Sequence, residues 1–394
     1  MNDFDGRWRR TLDDLEREGR RRRLRPVERG AGSHVGLDGR TLVNFSSNDY
    51  LGLSRHPELI GRAIAFAERY GAGSGASRLV CGDLPPFAVV ERKLAAAKGA
   101  EAALVFVSGY QANSSLLPAL FDSRVLGGEP LVYCDRLIHA SLIQGCLAAG
   151  VRQIRFRHND LQHLADLLAA DADKDRPRFI ITETVFSMDG DRADLDGLRT
   201  LADRYGAFLF LDEAHATGVL GAGGFGLAHG LAGPQCLVLG TFSKALGGFG
   251  AYVACSAALR DYLINRCPGM IYATALPPAV LGAMDAALDL VPALDEARDR
   301  LAATAARFRE AMAGAGLDTG ASSTQIVPVM LGAEDRALAV ARGLEEEGLL
   351  GVAIRPPTVP PGGSRIRLAF SAGHTGDEVD RLIRAVIRLA GRAG

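Results

Sequence analysis

Lysine is nearly missing from this chain. Of 45 Lys plus Arg residues almost all are Arg, and the lysines are only Lys93, Lys98, Lys174 and Lys244. Tryptophan is down to a single residue, and no long uncharged apolar run occurs, which excludes a membrane-spanning helix. A net charge of -1 and a pI near 6.7 exclude a general electrostatic pull toward nucleic acid or an anionic membrane. The first residues, Met1-Asn-Asp-Phe-Asp-Gly-Arg-Trp-Arg-Arg10, lack the apolar segment of a secretory signal, so a cytoplasmic location is expected. Six cysteines (Cys81, Cys134, Cys146, Cys236, Cys255, Cys267) are scattered, with no C-x-x-C and no histidine at metal-ligand spacing. Reduced, mostly buried thiols are expected, and no metal site.

What is there is an ordinary globular composition: 394 residues, 48% hydrophobic and 23% charged, enough for roughly two domains. Residues 3–23 carry Phe4, Trp8, Leu12 and Leu15 at helical spacing and end in the basic run Gly19-Arg-Arg-Arg-Arg-Leu-Arg-Pro26. Such a run could contact nucleic acid, but interleaved acids upstream favour a helix leading into an arm. A short strand at Leu42 runs into a polar turn, a helix follows from Pro57 to about Tyr70, and Gly71 to Gly82 reads as a close-approach loop. Its glycine spacing is not that of a dinucleotide fingerprint.

From about residue 85 helix and strand alternate. Apolar runs at 103–107, 131–134, 153–156, 179–182, 207–211, 236–239 and 251–254 read as the buried strands of a mainly parallel seven-stranded α/β sheet. A long helical pattern from Pro278 to about Gly314 leads to a smaller α/β unit with strands at 326–330 and 365–370. The expected division is an N-terminal helix and arm (1–50), a large domain (51–285) and a small C-terminal domain (286–394).

In such a sheet, ligands bind at the carboxyl ends of the strands. Those ends carry Ser108-Gly109-Tyr110, Asp135 to His139, Glu183 to Ser187, Asp212-Glu-Ala-His215 and Thr241-Phe-Ser-Lys244. The helix expected to start at Ser108 offers free N–H groups to an anion. His139 reads equally as a group lying over a ring and as a helix-start residue bonding backbone. Lys244 lies between an apolar strand and a glycine cluster, with no acid adjacent. There a lysine can lose its proton and form a Schiff base, which an arginine cannot, although a strand-end lysine reaching for water fits the same position. An acid on one strand end and a lysine on the next, Asp212 and Lys244, suit a pyridine nitrogen and an aldehyde, the two handles of pyridoxal phosphate (PLP). The Asp-Glu-Ala-His string also matches a helicase box, but no phosphate loop accompanies it.

Seven strings occur in order: Asn48-Asp-Tyr-Leu-Gly52, Gly73-Ser-Gly-Ala-Ser77-Arg, Ser108-Gly-Tyr110, His139-Ala-Ser141, Val185-Phe-Ser-Met-Asp-Gly190, Asp212-Glu-Ala-His215-Ala-Thr-Gly218 and Thr241-Phe-Ser-Lys244. Together they resemble the α-oxoamine synthases, PLP-dependent transferases of fold type I, over the chain from about residue 20. Ala353-Ile-Arg355-Pro-Pro-Thr358-Val-Pro360, followed by Arg365-Ile-Arg-Leu, is similar to the biotin-pathway branch of that family.

The resemblance implies PLP as cofactor, with Lys244 as its Schiff-base lysine and the base at the amino-acid Cα, Asp212 at the pyridine nitrogen, and His139 over the ring. It implies Ser187 and His215 at the phenolic oxygen, and Gly109, Tyr110, Thr241 and Ser243 near the phosphate or ring edge. Arg355 would clamp the alanine carboxylate, and Thr358 and Arg22 match substrate positions. The implied reaction is condensation of L-alanine with a pimeloyl thioester, on coenzyme A or on an acyl carrier protein, with loss of carbon dioxide. The enzyme would be a homodimer with no nucleic acid or membrane partner. Ala76, Cys81 and Ala216 stand where glycine, serine and glycine are frequent, and Ala76 leaves the amino-acid pocket's size open. A sister synthase joining glycine to a short acyl-CoA is the nearer alternative, and a non-catalytic or nucleic-acid-binding protein built on the Arg-rich arm the more distant one.

Overall fold

Seven apolar runs pair edge to edge into the central sheet of the computed structural model, which describes residues 3–392. Across the sheet the strands lie in the order Ala102–Phe106, Ala251–Cys255, Cys236–Thr241, Ala207–Asp212, Arg178–Glu183, Leu131–Asp135 and Gln153–Phe156. Ala251–Cys255 is antiparallel to both neighbours and the remaining pairs are parallel. The central strands are buried at every position and apolar up to their carboxyl ends because both faces are covered, as parallel sheets require. This is the α/β architecture expected from the sequence. Its carboxyl edge aligns Asp135, Glu183, Asp212 and Thr241, with Glu183 directly beside Asp212 in register.

Two helices begin at that edge. Gly109–Leu120 is capped by the Ser108 hydroxyl, which accepts from the Gln111 N–H at 3.2 Å, and Ala140–Ala148 is capped by His139, whose Nδ1 accepts from the Ser141 N–H at 3.3 Å. They approach so closely at Gly145 that a Cβ there would sit 2.5 Å from the Asn113 carbonyl oxygen. The missing side chain therefore decides that Asn113 and Ser141 meet.

Ser364–Ala369 pairs antiparallel with Ile326–Gly332 and with Val352–Ile354. Helices Glu334–Glu346 and Gly376–Arg392 pack together beside this sheet. The second buries Val379, Leu382, Val386 and Ala390, one stripe at helical spacing. The long helical pattern from Pro278 is in fact two helices, Pro278–Leu290 and Asp295–Gly314, separated by a 3₁₀ turn at Val291–Ala293. Pro292 lacks an N–H and cannot continue a helix interior.

The N-terminal helix spans Phe4–Arg17, shorter than the pattern over 3–23 suggests. Gly19, at φ +64°, turns the chain out of the helix, and the basic run continues as an extended arm. Arg20 pairs with Glu334 at 3.0 Å, and Arg25 with Glu345 at 2.7 Å and Asp38 at 2.5 Å, so the run's charge meets acids of this same chain. Exposed pairs of this kind contribute about 1 kcal/mol or less each. The arm then forms strands Val27–Arg29, His34–Leu37 and Arg40–Asn44, the last joined in parallel by Leu349–Leu350.

One hydrophobic cluster runs from Phe45 and Tyr50 through Phe242 and Tyr252 to Phe308 and Phe370, uniting the arm, the sheet and the C-terminal unit. Among the described residues no helix is long and apolar enough to cross a membrane, and no group of side chains could hold a metal ion. All six cysteines are free, and only Cys81 is exposed.

Candidate active site

The carboxyl edge of the sheet opens into a cavity of about 210 Å³. Its walls bring together Gly109, Tyr110, His139, Asp212, His215, Thr241 and Lys244, with Ser108, Asn113, Ser141, Glu183 and Ser243 beside them. Groups from five strand ends converge here because the parallel topology points them all one way.

Asp212 is buried and held on both oxygens: Asn113 Nδ2 donates to Oδ2 at 2.8 Å and the Ala214 N–H to Oδ1 at 2.9 Å. Asn113 Nδ2 also donates to the Ser141 hydroxyl at 3.0 Å, and that oxygen lies 2.7 Å from His139 Nδ1. A continuous chain of hydrogen bonds thus orients His139 relative to Asp212. Burial lowers the His139 pKa, with the Asp212 charge opposing and Lys244 adding to the shift, so the ring is neutral at neutral pH. Glu183, buried beside Asp212, is pushed well above the usual carboxylate range by desolvation and by the Asp212 charge. Its Oε1 and the Asn113 Oδ1 are buried without a hydrogen-bond partner.

Lys244 is half-buried at the cavity wall. Desolvation lowers its pKa from 10.5 to about 8, against the raising effect of Asp212 and Glu183, and Arg367 lowers it further. Behind the sheet's edge, His215 is driven well below its ordinary pKa by burial and by the charges of Lys244 and Arg367. Thr241 Oγ1 donates to the Gly250 carbonyl at 2.9 Å and lies 2.7 Å from Ser243 Oγ.

Four residues expected at the site do not line this cavity. Ser187 is absent from its wall, and its carbonyl accepts from Arg367 Nε at 2.6 Å. Arg355 donates to the Gly19 carbonyl at 3.1 Å and faces Glu334 at 3.5 Å, so its guanidinium is engaged by the arm and the C-terminal unit. Thr358 is exposed, its N–H bonded to the Arg355 carbonyl at 3.0 Å, and Arg22 is exposed on the arm three residues beyond Gly19. Arg355 and Thr358 therefore lie together, and neither they nor Arg22 stand on the cavity wall.

The guanidinium whose charge reaches Lys244 and His215 is Arg367, which the sequence reading did not single out as a site residue. Arg367 is buried and donates to Asn48 Oδ1 at 3.2 Å. Asn113, Ser141 and Glu183 were also missed as site groups. A signal existed for each: Asn113 lies one helical turn after Gly109, Ser141 two residues after His139, and Glu183 at a strand end. Arg367 stands in the Arg365-Ile-Arg-Leu string, but that string lies in a strand far along the chain and alternates two arginines, which left its role unassigned.

The donor set fits PLP. A carboxylate fixed by two donors, an amine of depressed pKa, a helix start with N–H groups facing the cavity, and buried polar atoms without partners surround the same space.

Residues 40–386 match the aminotransferase class I and II family, and the chain belongs to it. PLP is its cofactor. Within that class it belongs with the 8-amino-7-oxononanoate synthases. It is 60% identical over 388 residues to the 8-amino-7-oxononanoate synthase of Gluconacetobacter diazotrophicus, covering 98% of this chain and 97% of that one. To the synthase of Geobacter sulfurreducens it is 48% identical, covering 97% of each. Among solved structures it is similar to serine palmitoyltransferase from S. paucimobilis with a PLP–myriocin compound bound (TM-score 0.89, 27% identity, 99% of this chain and 98% of that one). It is also similar to 8-amino-7-oxononanoate synthase from Francisella tularensis (TM-score 0.75, 26% identity, 88% and 97%). The chain is an acyltransferase of the PLP-dependent class.

Proposed function

We propose that this enzyme condenses L-alanine with a pimeloyl thioester and releases carbon dioxide, giving 8-amino-7-oxononanoate in biotin synthesis. The observation that carries this reading is the convergence of Lys244, Asp212 and His139 in one cavity, in a chain near 60% identical to synthases of that name. When bound, PLP supplies an electron sink for the pair left at alanine Cα.

In this reading Lys244 would hold the cofactor aldehyde and would serve as the base at the amino-acid Cα, a task suited to an amine with a pKa of about 8. Asp212 keeps a proton on the pyridine nitrogen, and Asn113 and the Ala214 N–H keep the carboxylate aimed. His139, neutral and tethered by Ser141, would cover the cofactor ring and donate toward the acyl oxygen. Ser187 and His215 serve the phenolic oxygen; Gly109, Tyr110 and Thr241 serve the phosphate and ring edge. Arg367, buried and held by Asn48, is the cation best placed for the amino-acid carboxylate, in place of Arg355. Arg355, Thr358 and Arg22 are left to receive the acyl donor at the arm. That donor rides on coenzyme A or a carrier protein, and the working form is a cytoplasmic homodimer.

Thiol release by the PLP-loaded protein tests this, comparing L-alanine plus pimeloyl-CoA with glycine plus acetyl-CoA, and with Lys244→Ala as blank. Release with the first pair, lost in the variant, is expected. Release with the second pair alone would move the enzyme to the glycine-using branch.

A further inference from the structure

A buried phenol stands directly behind His215. Tyr50 is fully buried, and its hydroxyl oxygen lies 2.7 Å from His215 Nδ1 and 3.1 Å from Asn48 Oδ1. A phenol has one proton to donate, and a neutral imidazole carries one proton on one of its two nitrogens. The direction of the Tyr50 bond therefore decides which nitrogen of His215 is protonated.

Two acceptors compete for the phenol proton. Asn48 Oδ1 can accept the phenol proton at 3.1 Å but also accepts from Arg367 at 3.2 Å, whereas His215 Nδ1 is the more basic atom and the nearer one, at 2.7 Å. The phenol therefore sends its proton along the shorter contact, to Nδ1. Gln325 Nε2 further donates to the His215 carbonyl at 2.9 Å, holding the backbone that carries the ring.

We infer that Tyr50 is a positioning residue: its hydroxyl donates to His215 Nδ1, locking the imidazole as the Nε2–H tautomer so that the ring presents a donor, not a lone pair, to the cavity. Burial keeps the ring from taking a second proton. Nε2 makes no hydrogen bond among the described residues, and His215 lines the cavity. An N–H there attracts an anionic ligand oxygen, such as the phenolic oxygen of PLP, whereas a lone pair would repel it. This consequence rests on the assignment of the cavity to the cofactor; the tautomer itself does not. The strand-to-turn segment at Asn48 and Tyr50, outside the central sheet, thus sets the polarity of a group inside it.

Nitrogen NMR of histidine-labelled apoprotein reads the tautomer directly, with His215→Gln assigning the signal. Wild type is expected to show a bare Nδ1 and a protonated Nε2. In Tyr50→Phe an Nδ1–H population appears, and the PLP dissociation constant rises roughly tenfold or more, the value of a hydrogen bond to a charged group. Tyr133→Phe is the control: it removes another hydroxyl from a buried ring, one bonded to Asp171 at 2.7 Å, and leaves both readouts unchanged. A proton on Nδ1 in wild type overturns the inference without any variant. So does an unaltered His215 in Tyr50→Phe. A tautomer change with unaltered PLP affinity upholds the role of Tyr50 and refutes His215 as the partner of the phenolic oxygen.

Discussion

The depressed basicity of Lys244 can be measured without turnover. Its pKa falls from 10.5 to about 8 through desolvation, opposed by Asp212 and Glu183 and aided by Arg367. At pH 7 such an amine is neutral in roughly one molecule in ten, against about one in three thousand for an ordinary lysine, a gain of roughly three hundredfold in nucleophile. The shift corresponds to about 3 kcal/mol of differential interaction between the two protonation states. Apoprotein is exposed to a small non-titrating aldehyde, the adduct is trapped by borohydride, and modification is quantified by peptide mass spectrometry between about pH 6 and about pH 10, with Lys174 on the surface loop as reference. Lys244 modification is expected to rise with a midpoint near 8. Asp212→Asn removes a charge that holds the proton on, so the midpoint falls. Arg367→Gln removes a charge that repels it, so the midpoint rises. A wild-type midpoint near 10.5, or the two variants shifting the same way, would refute the electrostatic account.

Three further outcomes follow from the packing. Lys98 and Glu213 form a fully buried ion pair, with Glu213 also accepting from the Leu227 and Ala228 N–H groups. Lys98→Met strands the carboxylate and is expected to cost about 3–5 kcal/mol in denaturant unfolding of the apoprotein; a cost below about 1 kcal/mol would show that the pair is not held in this way. Gly145→Ala drives a Cβ to within 2.5 Å of the Asn113 carbonyl oxygen. It is expected to cost about 1–3 kcal/mol and to weaken PLP binding through the Asn113–Asp212 bond, checked by melting and by absorbance titration. His158, bonded to Asp135 at 3.0 Å and Asp191 at 2.8 Å, has its pKa raised from 6.5 to about 10, desolvation notwithstanding, by those two carboxylates. Because the folded-state pKa lies above the unfolded one, this stability is fully present below pH 6.5 and is lost as pH rises through about 10. His158→Gln should flatten the alkaline fall of the melting temperature, and an unchanged slope would remove His158 from the account.

Much of this protein was legible in its residues. The seven strands, the parallel order and the strand-end positions of Asp212, His215, Thr241 and Lys244 follow from short apolar runs separated by helical spacing, because a run buried on both faces is apolar at every position. The scarcity of lysine drew attention to Lys244, and the cavity around it bears on that residue alone among the four. What the chain order could not disclose is contact between residues hundreds of positions apart. Arg355 directly follows the strand Val352–Ile354 and Arg367 lies in its partner Ser364–Ala369, yet the first ends against Glu334 and the arm and the second against Asn48 and Ser187. The extent of the N-terminal helix turned on one left-handed glycine. Local periodicity records which face of an element is buried; which charge ends beside which is decided only when the arm, the sheet and the C-terminal unit close around one core.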